Sequence, residues 1–150
     1  MTRVLSHALY VLSALLLLAA TEAAAQRMVS VSRDDVNLRS GAGTQHPAEW
    51  KLGSGFPLKV VGNRGSWLKV TDFENDTGWI YRPLTNQTPH HVVKAKIANM
   101  RSGPSMSSRI VAKLAYGDVL KTLTHSGDWV KLQREGGLRG WVARRLLWGW

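Results

Sequence analysis

The chain has 150 residues and no cysteine. That excludes a disulfide-stapled scaffold, a thiolate metal site, a cysteine nucleophile and a lipidated N-terminal cysteine. Acidic residues are scarce, with 10 Asp and Glu against 20 Lys and Arg, a formal charge of +10. No His-Glu-x-x-His pair, Gly-x-Ser-x-Gly elbow or Gly-rich loop followed by Lys occurs. Zincin, serine-hydrolase and nucleotide-hydrolysing chemistry therefore lack their signatures. The chain reads as non-catalytic, with no cofactor and no metal site. Long apolar runs are also missing: the one candidate, Ala8–Ala20, covers 13 residues, whereas a membrane-spanning helix needs about 20.

That run has another reading. Arg3 precedes it, and Ala23-Ala24-Ala25 follows as a small-residue cleavage site. Residues 1–25 match a secretory signal peptide, with Gln26 as the first mature residue and a periplasmic or secreted destination. Export changes the meaning of the charge. Nucleic acid is not among the expected partners; cell-wall glycopeptides, envelope proteins and anionic headgroups are. Residues 27–85 hold 8 basic and 6 acidic side chains, residues 94–150 hold 11 and 3, so the net charges are +2 and +8.

The two halves repeat each other at a shift of 62 residues. Asn37-Leu38-Arg39-Ser40-Gly41 falls on Asn99-Met100-Arg101-Ser102-Gly103, Gly65-x-Trp67-x-Lys69 on Gly127-x-Trp129-x-Lys131, and Gly78-Trp79-Ile80 on Gly140-Trp141-Val142. Between 36–84 and 98–146, 16 of 49 positions are identical, against about 3 for typical composition. This predicts two units, 28–85 and 94–148. Asn86–Val93 has no charged residue, contains Pro89 and reads as a linker.

Each unit reads as short strands between turns. Val29–Ser32 and His91–Ile97 open the copies, followed by Pro57–Val61 and Val119–Leu123, then Trp67–Val70 and Trp129–Leu132. Only Ala143–Leu147 hints at a helical turn. The expected class is all-β, two small barrels in tandem behind the signal-peptide helix.

The combination of Asn-x-Arg-x-Gly, Gly-x-Trp-x-Lys and Gly-Trp-aliphatic at fixed spacing resembles the bacterial Src-homology-3-type domain, in two copies. The first copy departs from the pattern at Ala42-Gly43, where the second has Pro104-Ser105, and at Phe56-Pro57. The resemblance implies SH3-like barrels that bind peptides or wall components without doing chemistry.

Strand alternation puts Leu68 and Val70, like Val130 and Leu132, on one side, so Trp67, Lys69, Trp129 and Lys131 face outward. An exposed ring beside a cation suits an amide-rich, anionic ligand. Arg39 and Arg101 either hold their turns, where Gly41 and Gly103 would supply positive φ, or grip a ligand carboxylate. Trp79 and Trp141 either pack at a barrel corner or line a groove. Asp72–Asp76 reads as a solvated turn rather than a calcium loop, and His90-His91 as a linker pair. Arg144, Arg145, Trp148 and Trp150 either close the last barrel or touch a membrane surface. The expected function is recognition of cell-wall peptidoglycan or its peptides. The alternatives are an adaptor docking a peptide or partner enzyme, and a membrane-surface binder.

Overall fold

The structure, a computed structural model, describes residues 27–150; the signal-peptide reading of residues 1–25 lies outside them. Fourteen strands form two antiparallel sheets. The first contains β1 (Met28–Val31), β2 (Val36–Arg39), β3 (Ala48–Leu52), β4 (Pro57–Arg64), β5 (Trp67–Thr71), β6 (Thr77–Tyr81) and β7 (Thr85–Asn86). The second contains β8 (His90–Val93), β9 (Ile97–Arg101), β10 (Ile110–Ala115), β11 (Val119–Ser126), β12 (Trp129–Gln133), β13 (Arg139–Ala143) and β14 (Leu147–Gly149). Strand order is β3-β2-β6-β5-β4-β1-β7 and, in the second sheet, β10-β9-β13-β12-β11-β8-β14. The order is the same in both copies.

Register follows the repeat. The β4–β5 ladder slips between Val60 and Gly62, and β11–β12 slips between Thr122 and Thr124, each time 62 residues apart. Such bulges bend a strand and increase its twist, letting a short sheet curl around its own core. Val29, Val31, Leu38, Leu58, Leu68, Val70 and Ile80 fill the first core. Val93, Met100, Leu114, Leu120, Val130, Leu132 and Val142 fill the second. Leu84 and Leu146 pack against their own cores from the 3-10 turns Arg82–Leu84 and Arg144–Leu146. Pro57 opens β4, where a missing N–H is tolerated.

The linker reading needs correction. His90–Val93 is a strand paired with both β11 and β14, the counterpart of Met28–Val31 one repeat earlier. Only Gln87–Pro89 connects the two sheets. The strand expected at His91–Ile97 ends at Val93, and the next begins at Ile97. Composition misled because this strand is covered on both sides and so needs no charge. One side of it carries His91 and Val93 into the second barrel; the other carries His90 and the buried Val92 toward the first.

That second side is a joint between the barrels. Buried Met28 and Ser30 lie on the outer side of β1, opposite to Val29 and Val31 by alternation. Ser30 Oγ donates to the Thr88 carbonyl at 2.7 Å, lies 3.1 Å from His90 Nδ1 and accepts the Trp150 indole N–H at 3.3 Å. Trp148 sits opposite Val92 in the β14–β8 ladder. Of the two readings of Trp148 and Trp150, barrel closure has its counterpart here: Trp148 lies in the last strand and Trp150 in the joint. A second bridge runs through Phe56, Phe73 and Tyr116, with ring centroids 6.1 and 5.3 Å apart.

Candidate functional site

The side chains singled out by the sequence converge on one outer face per barrel. On β5, Leu68 and Val70 are buried, and Trp67 and Lys69 point outward. On β6, Gly78 and Ile80 are buried, and Trp79 and Tyr81 point outward. The ladders place Trp67 opposite Tyr81, Lys69 opposite Trp79, and Arg39 on the far side of Trp79. An Arg39–Trp79–Lys69 row therefore crosses three strands. Its counterpart is Arg101–Trp141–Lys131.

Gly78 and Gly140 explain why the rings lie outside. A Cβ on Gly78 would run into the Leu38 side chain, and one on Gly140 into Met100 and the Arg101 carbonyl. The inward position before each Trp has no room for any side chain. The indoles are half-buried on the outer surface, where Arg64 lies 5.7 Å from the Trp79 ring centroid and Lys131 lies 5.9 Å from that of Trp141. Both distances fall within cation–π range. Leu38 and Met100 fill the space inside each Gly-Trp step, and Trp79 and Trp141 lie half-buried outside it.

Arg39 and Arg101 have loop-holding roles. Arg39 Nη1 donates to the His46 carbonyl at 2.8 Å and more weakly to that of Thr44 at 3.4 Å. Arg101 Nη1 donates to the carbonyls of Met106 and Ser108 at 3.0 and 2.9 Å. Each guanidinium pins the loop that follows its own strand. Gly41 and Gly103 do not adopt the expected positive φ. A Cβ there would have to displace the His46 ring or Ser108 Oγ beneath the pinned loop.

A groove lies beside Trp67 and another beside Trp129, while Trp79, Lys69, Trp141, Lys131 and Arg101 stand outside their linings. In the first barrel, Arg33, Asp35, Asn37, Arg39, Trp67 and Tyr81 line a cavity of about 200 Å³. The Tyr81 ring packs on Trp67 with centroids 5.4 Å apart, which fills space. Ala143 replaces Tyr81 in the second barrel, and the groove opens to about 740 Å³. Lys94, Met106, Trp129, Arg144 and Arg145 line it, with Asp128 as its single acid. The basic pair read as part of a tail belongs to this groove. Arg144 Nη2 also lies 3.2 Å from His125 Nδ1; burial and that neighbouring cation push the His125 pKa down.

Tyr81, Met106, Lys94 and Arg64 escaped the sequence reading. For Tyr81 the signal existed, because it follows Trp79 by two residues on an alternating strand. The others sit on loops or strand ends, where periodicity says nothing. The Asp72 hairpin is a local turn: one carboxylate oxygen accepts the N–H groups of Glu74 and Asp76, each at 2.9 Å. Burial raises the Asp72 pKa.

Residues 32–86 and 97–147 each match a family profile described as bacterial SH3 domain. A putative N-acetylmuramoyl-L-alanine amidase, YrvJ of Bacillus subtilis, is 24% identical over 137 residues, covering 83% of this chain and 26% of that protein. The chain thus spans about a quarter of that relative's length. An NlpC/P60 family protein from Bacillus cereus is similar at a TM-score of 0.39 and 13% identity, over 83% of this chain and 56% of that one. NlpC2 from Trichomonas vaginalis gives 0.36 and 16%, over 82% and 48%.

Proposed function

Because the chain belongs to the bacterial SH3 family, as two domains in tandem, we propose that it is a non-catalytic module that works outside the cytoplasm and binds cell-wall peptidoglycan or its peptides. The observation that carries this reading is the Arg–Trp–Lys row repeated on both outer faces, with a groove lined by Trp67 or Trp129 on the same face. A flat indole offers stacking to amide planes, and Lys69 or Lys131 beside it offers a charge-assisted hydrogen bond to a carboxylate. Wall peptides present both groups. The relative named as an amidase supports the same ligand class.

The second barrel is the stronger binder. Its groove is wider, and Lys94, Arg144 and Arg145 add three cations where the first groove has Arg33 and Arg39. The tighter first face contributes by avidity, since two linked weak sites bind a repeating polymer more strongly than one.

Co-sedimentation with purified peptidoglycan tests this. Bound protein should fall steeply as salt rises from low values through 0.1 M, where screening acts over about 10 Å. Trp129→Ala, with its folding checked by far-UV spectroscopy, should weaken binding by about tenfold, the loss of one stacked ring and its cation contact. Sedimentation unchanged in Trp129→Ala, or absent at low salt, contradicts wall binding. It would put the adaptor reading, with a peptide or partner enzyme in the same grooves, ahead.

A further inference from the structure

A cleft used by neither outer face runs between the two barrels. It consists of two adjoining cavities of about 470 and 370 Å³ that share Asp34, Ser54, Val119, Arg134 and Glu135 among their lining residues. Asp118 lines the first cavity; Lys121, Gln133 and His90 line the second. Both volumes lie in the range of small-molecule sites. The walls come from both halves of the chain, so the cleft exists only because the joint at Ser30, His90 and Trp150 and the Phe73–Tyr116 contact hold the barrels together.

Its charges differ from those of the outer faces. Three carboxylates (Asp34, Asp118, Glu135) and two cations (Lys121, Arg134) share the cleft, and they do not pair with one another. Among the described residues the one ion pair is Lys51–Asp35, elsewhere on the first barrel. Two of the carboxylates are fixed in place by backbone. Asp34 Oδ1 accepts the Ser54 N–H at 2.8 Å, and Asp118 Oδ2 accepts the Ala115 N–H at 2.9 Å. Each keeps its second oxygen for another partner. Carboxylates held this way lose little freedom on binding.

We propose that this cleft binds a short peptide carrying both a free ammonium and a free carboxylate. A simple anion would meet three carboxylates, and a simple cation would leave Arg134 and Lys121 unmatched. A zwitterionic chain answers both signs at once: its ammonium donates to Asp34, Asp118 or Glu135, and its carboxylate accepts from Arg134 or Lys121. Such charge-assisted contacts are roughly twice as strong as neutral ones. Gly53 and Gly117 carry no side chain on the walls, which leaves room for the peptide backbone. The site is separate from the outer faces, so it stands or falls independently of wall binding by Trp129.

Titrating the ¹⁵N-labelled chain with tetra-alanine free at both ends tests the proposal. Amide signals of Ser54, Asp118, Val119, Arg134 and Glu135 should shift, and those of Trp129 and Trp141 should stay in place. Acetylating the amine or amidating the carboxylate should each weaken binding by about tenfold or more. Asp34→Asn, which keeps an acceptor for Ser54, and Arg134→Gln should each do the same. Equal binding of the doubly blocked peptide overturns the proposal. So do shifts confined to the outer faces, or no shift up to about 10 mM peptide.

Discussion

Leu68→Ala is expected to lower the stability of the first barrel by about 2–5 kcal/mol and leave the second nearly untouched. Leu68 has no exposed surface and packs among Leu38, Leu58 and Ile80, so truncation leaves a cavity that a short, bulged sheet cannot collapse around. A unit of some 60 residues has only about 3–9 kcal/mol to lose. The two cores share no buried aliphatic residue, which localises the damage. Native-state amide exchange reads the two halves separately. Protection at Ile80 and Val70 should fall by about thirtyfold or more, while that at Val142 and Leu132 holds within about tenfold. Equal loss in both halves would mean that the joint at Ser30 fuses the barrels into one cooperative unit.

Acid is expected to weaken the second barrel. His91 is 3% exposed, its Nδ1 lies 2.6 Å from Thr122 Oγ1, and its ring centroid lies 5.5 Å from that of His125, the rings tilted by 60°. Burial first, then the neighbouring His125 and Arg144 charges, lower its pKa to about 4 from 6.5. The sign follows from proton counts. Above pH 6.5 neither state binds the proton, and the fold keeps its full stability. Between 6.5 and 4 the unfolded chain takes up a proton that native His91 refuses, so stability falls as pH falls. Integrated over that window the loss is about 3 kcal/mol. His90 and His125, whose pKa values are also lowered, act in the same direction. Urea midpoints at pH 7 and pH 4.5 measure the effect. His91→Gln should remove more than half of the difference, and an unchanged difference would place the acid sensitivity elsewhere.

What could be read from the sequence was whatever two copies repeat. The 62-residue shift located both barrels, and alternation around Leu68 and Val130 turned Trp67 and Trp129 outward. The same logic applied one strand later would have turned Trp79 outward. Ile80 supplies the apolar signal for that turn outward, but Gly78 adds none, so a single aliphatic left corner packing and groove lining both open for Trp79. Contacts between copies left no trace at all. Ser30 and Trp150 are 120 residues apart, and nothing in the spacing of a repeat says how its two copies dock. For the same reason His90–Val93 looked like a linker, being a strand covered from both sides. The difference in width between the grooves turns on Tyr81 against Ala143, which matters only once Tyr81 is known to pack on Trp67.

The seven tryptophans provide the most direct test of the central claim, that the outer faces bind the wall. Each indole N–H gives its own resonance, and soluble peptidoglycan fragments can be titrated against all of them in one experiment. Trp129 and Trp141 should shift first, with Trp67 and Trp79 following at higher concentration because Tyr81 narrows the groove on their face. Trp148 and Trp150, held in the last strand and the joint, should not move, nor should Trp50 at the sheet edge. Shifts at Trp148 and Trp150 with Trp129 and Trp141 silent, or no shift at any indole, would contradict the account.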